Sequence, residues 1–222
     1  MYVRGKRVLN FIVLVVALTG VALSLFPVPA ALAAEITNRS LTLQPGASSG
    51  GSQAGGVVNH LFTFTLPSTT TIYSISFTYC TTANIDVGGT CTTPAGLSTT
   101  SATLGTQTGL TFSSLVNTTN GVPYVTSSTG VTPTGTASAS IQLLGVTNPN
   151  NTNCGSPPAS NNCTFYVQIA SYTSTNATGT PVDVGTVAAS TTTQIQLTGT
   201  MPESLIFCTG VPPVPSATKS LI

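Results

Sequence analysis

The chain has 222 residues, of which only 4% are charged and 41% hydrophobic, with five Lys or Arg, four Asp or Glu and a single histidine. So few cations, three of them in the first seven residues, exclude a nucleic-acid-binding surface, which needs a basic patch. Four acids and one histidine also leave little for acid–base catalysis.

Arg4, Lys6 and Arg7 precede an apolar run from Val8 to Leu25, which ends at Pro27 and Pro29 and is followed by Ala30-Ala31-Leu32-Ala33-Ala34. A positive head, an apolar middle and a small-residue exit predict a helical signal peptide over residues 1–34. Cleavage after Ala33 and cleavage after Ala34 fit equally well. The alternative is an uncleaved anchor, since the run of about 18 residues is near the lower limit for spanning a bilayer. Membrane contact is expected only through this segment. The mature part keeps two cations, Arg39 and Lys219, against four acids, Glu35, Asp86, Asp183 and Glu203, a net charge of −2 with His60 neutral. Its solubility must come from Thr, Ser, Asn and Gln.

After residue 34 the pattern is that of short strands. Ile36–Leu43 reads as strand-like and is followed by a Gly/Ser/Ala spacer, Pro45–Gly56. A flexible spacer of this length has an r.m.s. reach of about 20 Å, enough for the strand to add to a neighbour's sheet. The simpler expectation is that it starts its own sheet. Val58, His60, Phe62, Phe64 and Leu66 alternate with mostly polar residues, and so do Tyr73, Ile75, Phe77 and Tyr79. Period two with one aromatic face predicts half-buried strands. Pro67–Thr70 reads as a turn, so the two strands are expected to pair as a hairpin with aromatic faces inward.

Further short strands are expected around Leu110, Phe112 and Leu115, at an edge over Pro123–Thr126, and around Ala139–Leu143, Phe165–Ile169 and Thr193–Leu197. Residues 81–90 and 148–162 read as loops, and the Pro-containing tail 208–222 as extended or disordered. No segment of residues 35–207 shows a helical period. The fold class is therefore all-β: one antiparallel β-sandwich, immunoglobulin-like or jelly-roll-like.

With an export signal, the cysteines are expected to form disulfides. Cys80 with Cys91 and Cys154 with Cys163 would each close a short loop, worth about 2–3 kcal/mol if unstrained. Cys208 is left over, either as a buried free thiol or as a bridge to another chain. No Cys-x-x-Cys spacing supports a metal site. Asp86, in Asn84-Ile85-Asp86-Val87-Gly88, and Asp183 offer one acid per predicted loop, too few for calcium. His60 shares a strand face with Phe62 and Phe64 and is expected to be packed rather than catalytic. No catalytic residue, metal or cofactor is predicted. Asn38, Asn117, Asn150, Asn162 and Asn176 match the glycosylation pattern, which Asn/Thr-rich chains reach by chance. Tyr73, Tyr79, Tyr124, Tyr166 and Tyr172 are candidates for a sugar-stacking face.

Several stretches together resemble a known group: Ile36–Leu43, Phe62-Thr63-Phe64, Ser76–Cys80 followed by Cys91–Leu97, Thr164–Ile169, Gly185–Ser190 and Pro202–Cys208. They resemble a family of uncharacterised exported β-rich surface proteins of ultra-small, host-attached candidate-phylum (Patescibacteria/Saccharibacteria-like) bacteria, over most of residues 35–208. The resemblance implies a bacterial cell-surface setting and brings no catalytic residues. Such relatives continue beyond the Phe207-Cys208 motif, whereas this sequence ends 14 residues after Cys208 (222 − 208), so the expectation is that a C-terminal module or anchor is missing from it. The resulting expectation is a non-enzymatic, secreted or cell-surface structural or adhesive protein, partnered by copies of itself or other surface proteins. The alternative is an extracellular glycan-binding module.

Overall fold

The computed structural model describes residues 33–83, 90–150 and 162–192. Residues 1–32 of the predicted signal helix, the Thr193–Leu197 strand and the C-terminal tail lie outside them, while Ala34, the last residue of that prediction, is in a strand. The described residues form ten strands: β1 Ala34–Glu35, β2 Thr37–Gln44, β3 Val57–Thr65, β4 Ile72–Cys80, β5 Thr103–Thr108, β6 Ser114–Val116, β7 Tyr124–Val131, β8 Ser138–Thr147, β9 Asn162–Tyr172 and β10 Asp183–Thr192. They make a six-stranded sheet in the order β1-β10-β9-β4-β7-β6 and a four-stranded sheet in the order β2-β3-β8-β5. All pairings are antiparallel except β1 with β10, which run parallel.

Alternation does the work the sequence implied. Phe62 and Phe64 of β3, Ile141 and Leu143 of β8, Ile75, Phe77 and Tyr79 of β4, and Phe165, Val167 and Ile169 of β9 are all buried in one cluster between the two sheets. Phe62 meets Phe77 across the layer with ring centroids 4.3 Å apart. That contact corrects the hairpin expectation. β3 pairs with β2 and β8, β4 pairs with β7 and β9, and residues 66–71 cross from one sheet to the other. Alternation says which face a strand buries but not which strand lies beside it.

Three further expectations are corrected. Leu110 and Phe112 are buried, but in the connection between β5 and β6 rather than in a strand. Gln107 replaces strand pairing there: the Phe112 N–H donates to its Oε1 at 2.8 Å, and its Nε2 donates to the Phe112 carbonyl at 3.1 Å. Residues 124–126 belong to β7, which lies between β4 and β6, so the sheet ends at β6 instead. The 45–56 segment is no flexible tether. Backbone bonds tie Gly55 N to Pro149 O (3.1 Å) and Thr192 N to Ser52 O (2.8 Å). Gly51 lies so close to β2 that a Cβ there would sit 2.1 Å from the Leu43 carbonyl oxygen.

β2 pairs with β3 of its own sheet, the simpler of the two expectations. Its start is kinked. Asn38 takes a positive φ of 46°, a region Asn tolerates better than most residues, beside a break in register between Thr37 and Ser40. The kink lets Arg39 reach across the sandwich, where its Nε donates to the Thr186 carbonyl of β10 at 2.8 Å. Ile36, between β1 and β2, is fully buried, so the chain crosses from one sheet to the other with an apolar anchor at the crossing.

Candidate functional site

Among the described residues, His60, Tyr79 and Asp183 are inside the sandwich. His60 is fully buried, with Nδ1 2.9 Å from the Tyr79 hydroxyl and Nε2 2.9 Å from Oδ1 of Asn148. The network fixes the tautomer. Asn148 Nδ2 donates to the carbonyls of Gly51 and Gln53, both at 2.9 Å, so its Oδ1 is left to accept. His60 therefore carries its proton on Nε2, and Nδ1 accepts from the Tyr79 O–H. Burial lowers the His60 pKa to about 4, against a smaller upward pull from Asn148, and burial pushes the Tyr79 hydroxyl up. At neutral pH both are uncharged and hydrogen-bonded to protein. The imidazole thus acts as a bridge from β4 through β3 to the 45–56 segment. With both nitrogens engaged and no exposed surface, it is not placed to serve as a base toward a solvent-borne substrate.

Asp183 departs from expectation. It opens β10 instead of sitting in a solvated loop, and it is fully buried. Its Oδ2 accepts from Ser171 Oγ at 2.9 Å and its Oδ1 from the Ser68 N–H at 3.2 Å. The carboxylate so holds the 66–71 crossing against β9 and β10. Asp86 and its loop lie outside the described residues. Among the described residues no three His, Cys, Asp or Glu side chains come together as a metal site.

Cys80 and Cys91 form the expected disulfide, with Cα atoms 5.0 Å apart. Cys163 is also disulfide-bonded. The expected partner, Cys154, and the leftover Cys208 both lie outside the described residues. Of the five tyrosines considered for sugar stacking, Tyr79 is removed by its place in the core. Tyr166 and Tyr172 of β9 and Tyr124 of β7 alternate with core residues, so they lie half-buried on the outer side of the six-stranded sheet. Tyr73 is also half-buried, beside the register break at the start of β4.

The outer side of the four-stranded sheet is a hydroxyl and amide surface. Ser40, Thr63, Ser140 and Thr108 stand in one cross-strand row, with Ser140 and Thr108 bonded at 2.7 Å. In the next row Gln142 accepts from Thr106 Oγ1 at 2.9 Å and donates to Gln44. The salt bridge among the described residues is Arg39 to Glu35, at 3.0 Å. Asn117, a candidate glycosylation position, instead uses its Nδ2 to hold the carbonyls of Thr99, Thr100 and Ala102. Asn176 stands exposed beyond β9 and Asn38 exposed in β2. Asn148, Asn117 and Gln107 were not foreseen as structural residues. Nothing in composition separates a loop amide that holds backbone carbonyls from one that faces water.

No family model matches the chain, and no curated protein matches it. Among solved structures it is similar to BslA, a bacterial hydrophobin, at 16% sequence identity and a TM-score of 0.36, over 74% of this chain and 97% of that one. A likeness of that size carries no argument about what this chain does.

Proposed function

We propose that the chain is a non-enzymatic, exported surface component, structural or adhesive, that works through the outer faces of a disulfide-clipped β-sandwich. The observation that carries this reading is where its polar chemistry lies. His60 and Asp183 are sealed inside with internal partners, whereas the faces carry neutral hydroxyls, amides and tyrosines. A surface with almost no net charge has no long-range repulsion to keep copies apart, and rows of uncharged polar groups suit close packing against a neighbour. The partners are copies of itself or other surface proteins, and the place is outside the cell. Size-exclusion chromatography, non-reducing electrophoresis and electron microscopy of the mature chain test this. Oligomers, ladders or filaments are expected, and a strictly monomeric protein at high concentration refutes it.

A second reading has its own observation. Tyr124, Tyr166 and Tyr172 share one sheet face, and aromatic rings stack on sugars while neighbouring amides and hydroxyls bond to their hydroxyls. Retention of the monomer on a glycan array, lost on Tyr166→Ala, supports a glycan-binding module instead.

A further inference from the structure

We propose that hydrolysis of the Ala33–Ala34 peptide bond creates a structural cation: the α-ammonium of Ala34 docks at the start of β10 and pairs with the buried carboxylate of Asp183. The processing step rests on the export reading above; the ion pair is testable without it.

Ala34 lies opposite Asp183 in the parallel β1–β10 pair. Its N–H donates to the Val182 carbonyl at 2.9 Å, and the Ile36 N–H donates to the Val184 carbonyl at 2.8 Å. The nitrogen at which the mature chain begins is thus already held at the strand residue before Asp183. Asp183 lacks a counter-charge among the described residues. It accepts two hydrogen bonds, from Ser68 N and Ser171 Oγ, out of the roughly four a carboxylate can take. Arg39, the cationic side chain nearby in sequence to β1, is committed to Glu35, to the Ile36 carbonyl and to the Thr186 carbonyl. A buried carboxylate without a cation is strongly disfavoured, so a positive group beside it adds more than it would at the surface.

Water adds across the Ala33–Ala34 bond in the site of a signal peptidase. Ala33 leaves as a carboxylate, and the Ala34 nitrogen takes a proton to become an ammonium. One of its N–H groups would keep the Val182 carbonyl, and the added ones would be available to Asp183, its neighbour across the β1–β10 pair. The alternative cut, after Ala34, removes half of β1 and starts the chain at Glu35, whose carboxylate belongs to Arg39. The fold therefore accommodates a start at Ala34 better than a start at Glu35, two positions that the small-residue pattern leaves equal.

Intact mass and N-terminal sequencing of the exported protein test the first half, and a start at Ala34 is expected. A start at Glu35, or retention of the N-terminal segment, overturns it. For the second half, three refolded chains are compared by urea unfolding at pH 7: one starting at Ala34, the same chain N-acetylated, and one extended by Ala33. Acetylation keeps the N–H that bonds Val182 but removes the charge, and the extension moves the charge one residue away. Each is expected to raise the unfolding equilibrium constant on the order of tenfold, the size of a charged hydrogen bond. In Asp183→Asn the acetylation effect should vanish. Equal stability of the three wild-type chains overturns the ion pair, whatever the outcome of sequencing and whether or not Asp183→Asn folds.

Discussion

Acidification below pH 6.5 should weaken this protein through the one histidine in the sequence. His60 has a folded pKa of about 4 against 6.5 for an unburied imidazole. Between those values the unfolded chain binds a proton that the folded chain refuses, so stability rises with pH. The contribution is fully present above pH 6.5 and is lost as pH falls toward 4. Linkage gives a loss of about 2 kcal/mol between pH 7 and pH 5. The groups around the ring, Tyr79, Asn148, Phe62 and Phe165, supply no anion to offset the imidazolium. Urea unfolding of the mature chain at pH 7, 6 and 5 measures the slope, and the same series on His60→Gln assigns it. Glutamine offers a neutral donor and acceptor, so its profile should be flat. A flat wild-type profile, or an equal slope in His60→Gln, refutes the argument.

Other perturbations separate the parts of the fold. Asn148→Ala leaves the His60 Nε2–H and the carbonyls of Gly51 and Gln53 without their partner, for a loss of about 3 kcal/mol in denaturant unfolding. Gly51→Ala sets a Cβ against the Leu43 carbonyl, so amide exchange over 50–56 should accelerate while the β3 and β8 amides stay protected. Phe62→Ala opens a cavity against Phe77 and should cost about 3–5 kcal/mol, read as a lower urea midpoint.

Strand faces were legible wherever a strand buries one side and shows the other. β3, β8 and β9 do so, and their alternation placed His60, Phe62 and Phe165 inward without any structure; β4 alternates as clearly and placed Phe77 inward, although Ser74, Ser76 and Cys80 on its other side are buried as well. The same pattern was silent for β5, Thr-Leu-Gly-Thr-Gln-Thr, whose place at a sheet edge leaves it mostly solvated. It was silent too for β10, where small residues serve as core. Gly185 sits so close to Ile36 that a Cβ would approach its side chain to 2.9 Å. A spacer of Gly and Ser looks flexible by composition, yet Asn148 and Thr192 bind its backbone, and those partners lie about 100 or more residues away in sequence.

Composition, charge and alternation by themselves determined that the chain after the signal is built of short strands rather than helices, which side of β3, β4, β8 and β9 is apolar, and that two nearby cysteines can close a loop. These are local properties, set within a few residues by pleat geometry and chain entropy. Tertiary structure alone decided that β3 and β4 face each other rather than pair, that Asp183 is buried, and that one asparagine joins the histidine to the 45–56 segment. Each of those depends on groups brought together from distant parts of the chain, and hydrogen bonds and burial between such groups leave no periodic trace in the sequence.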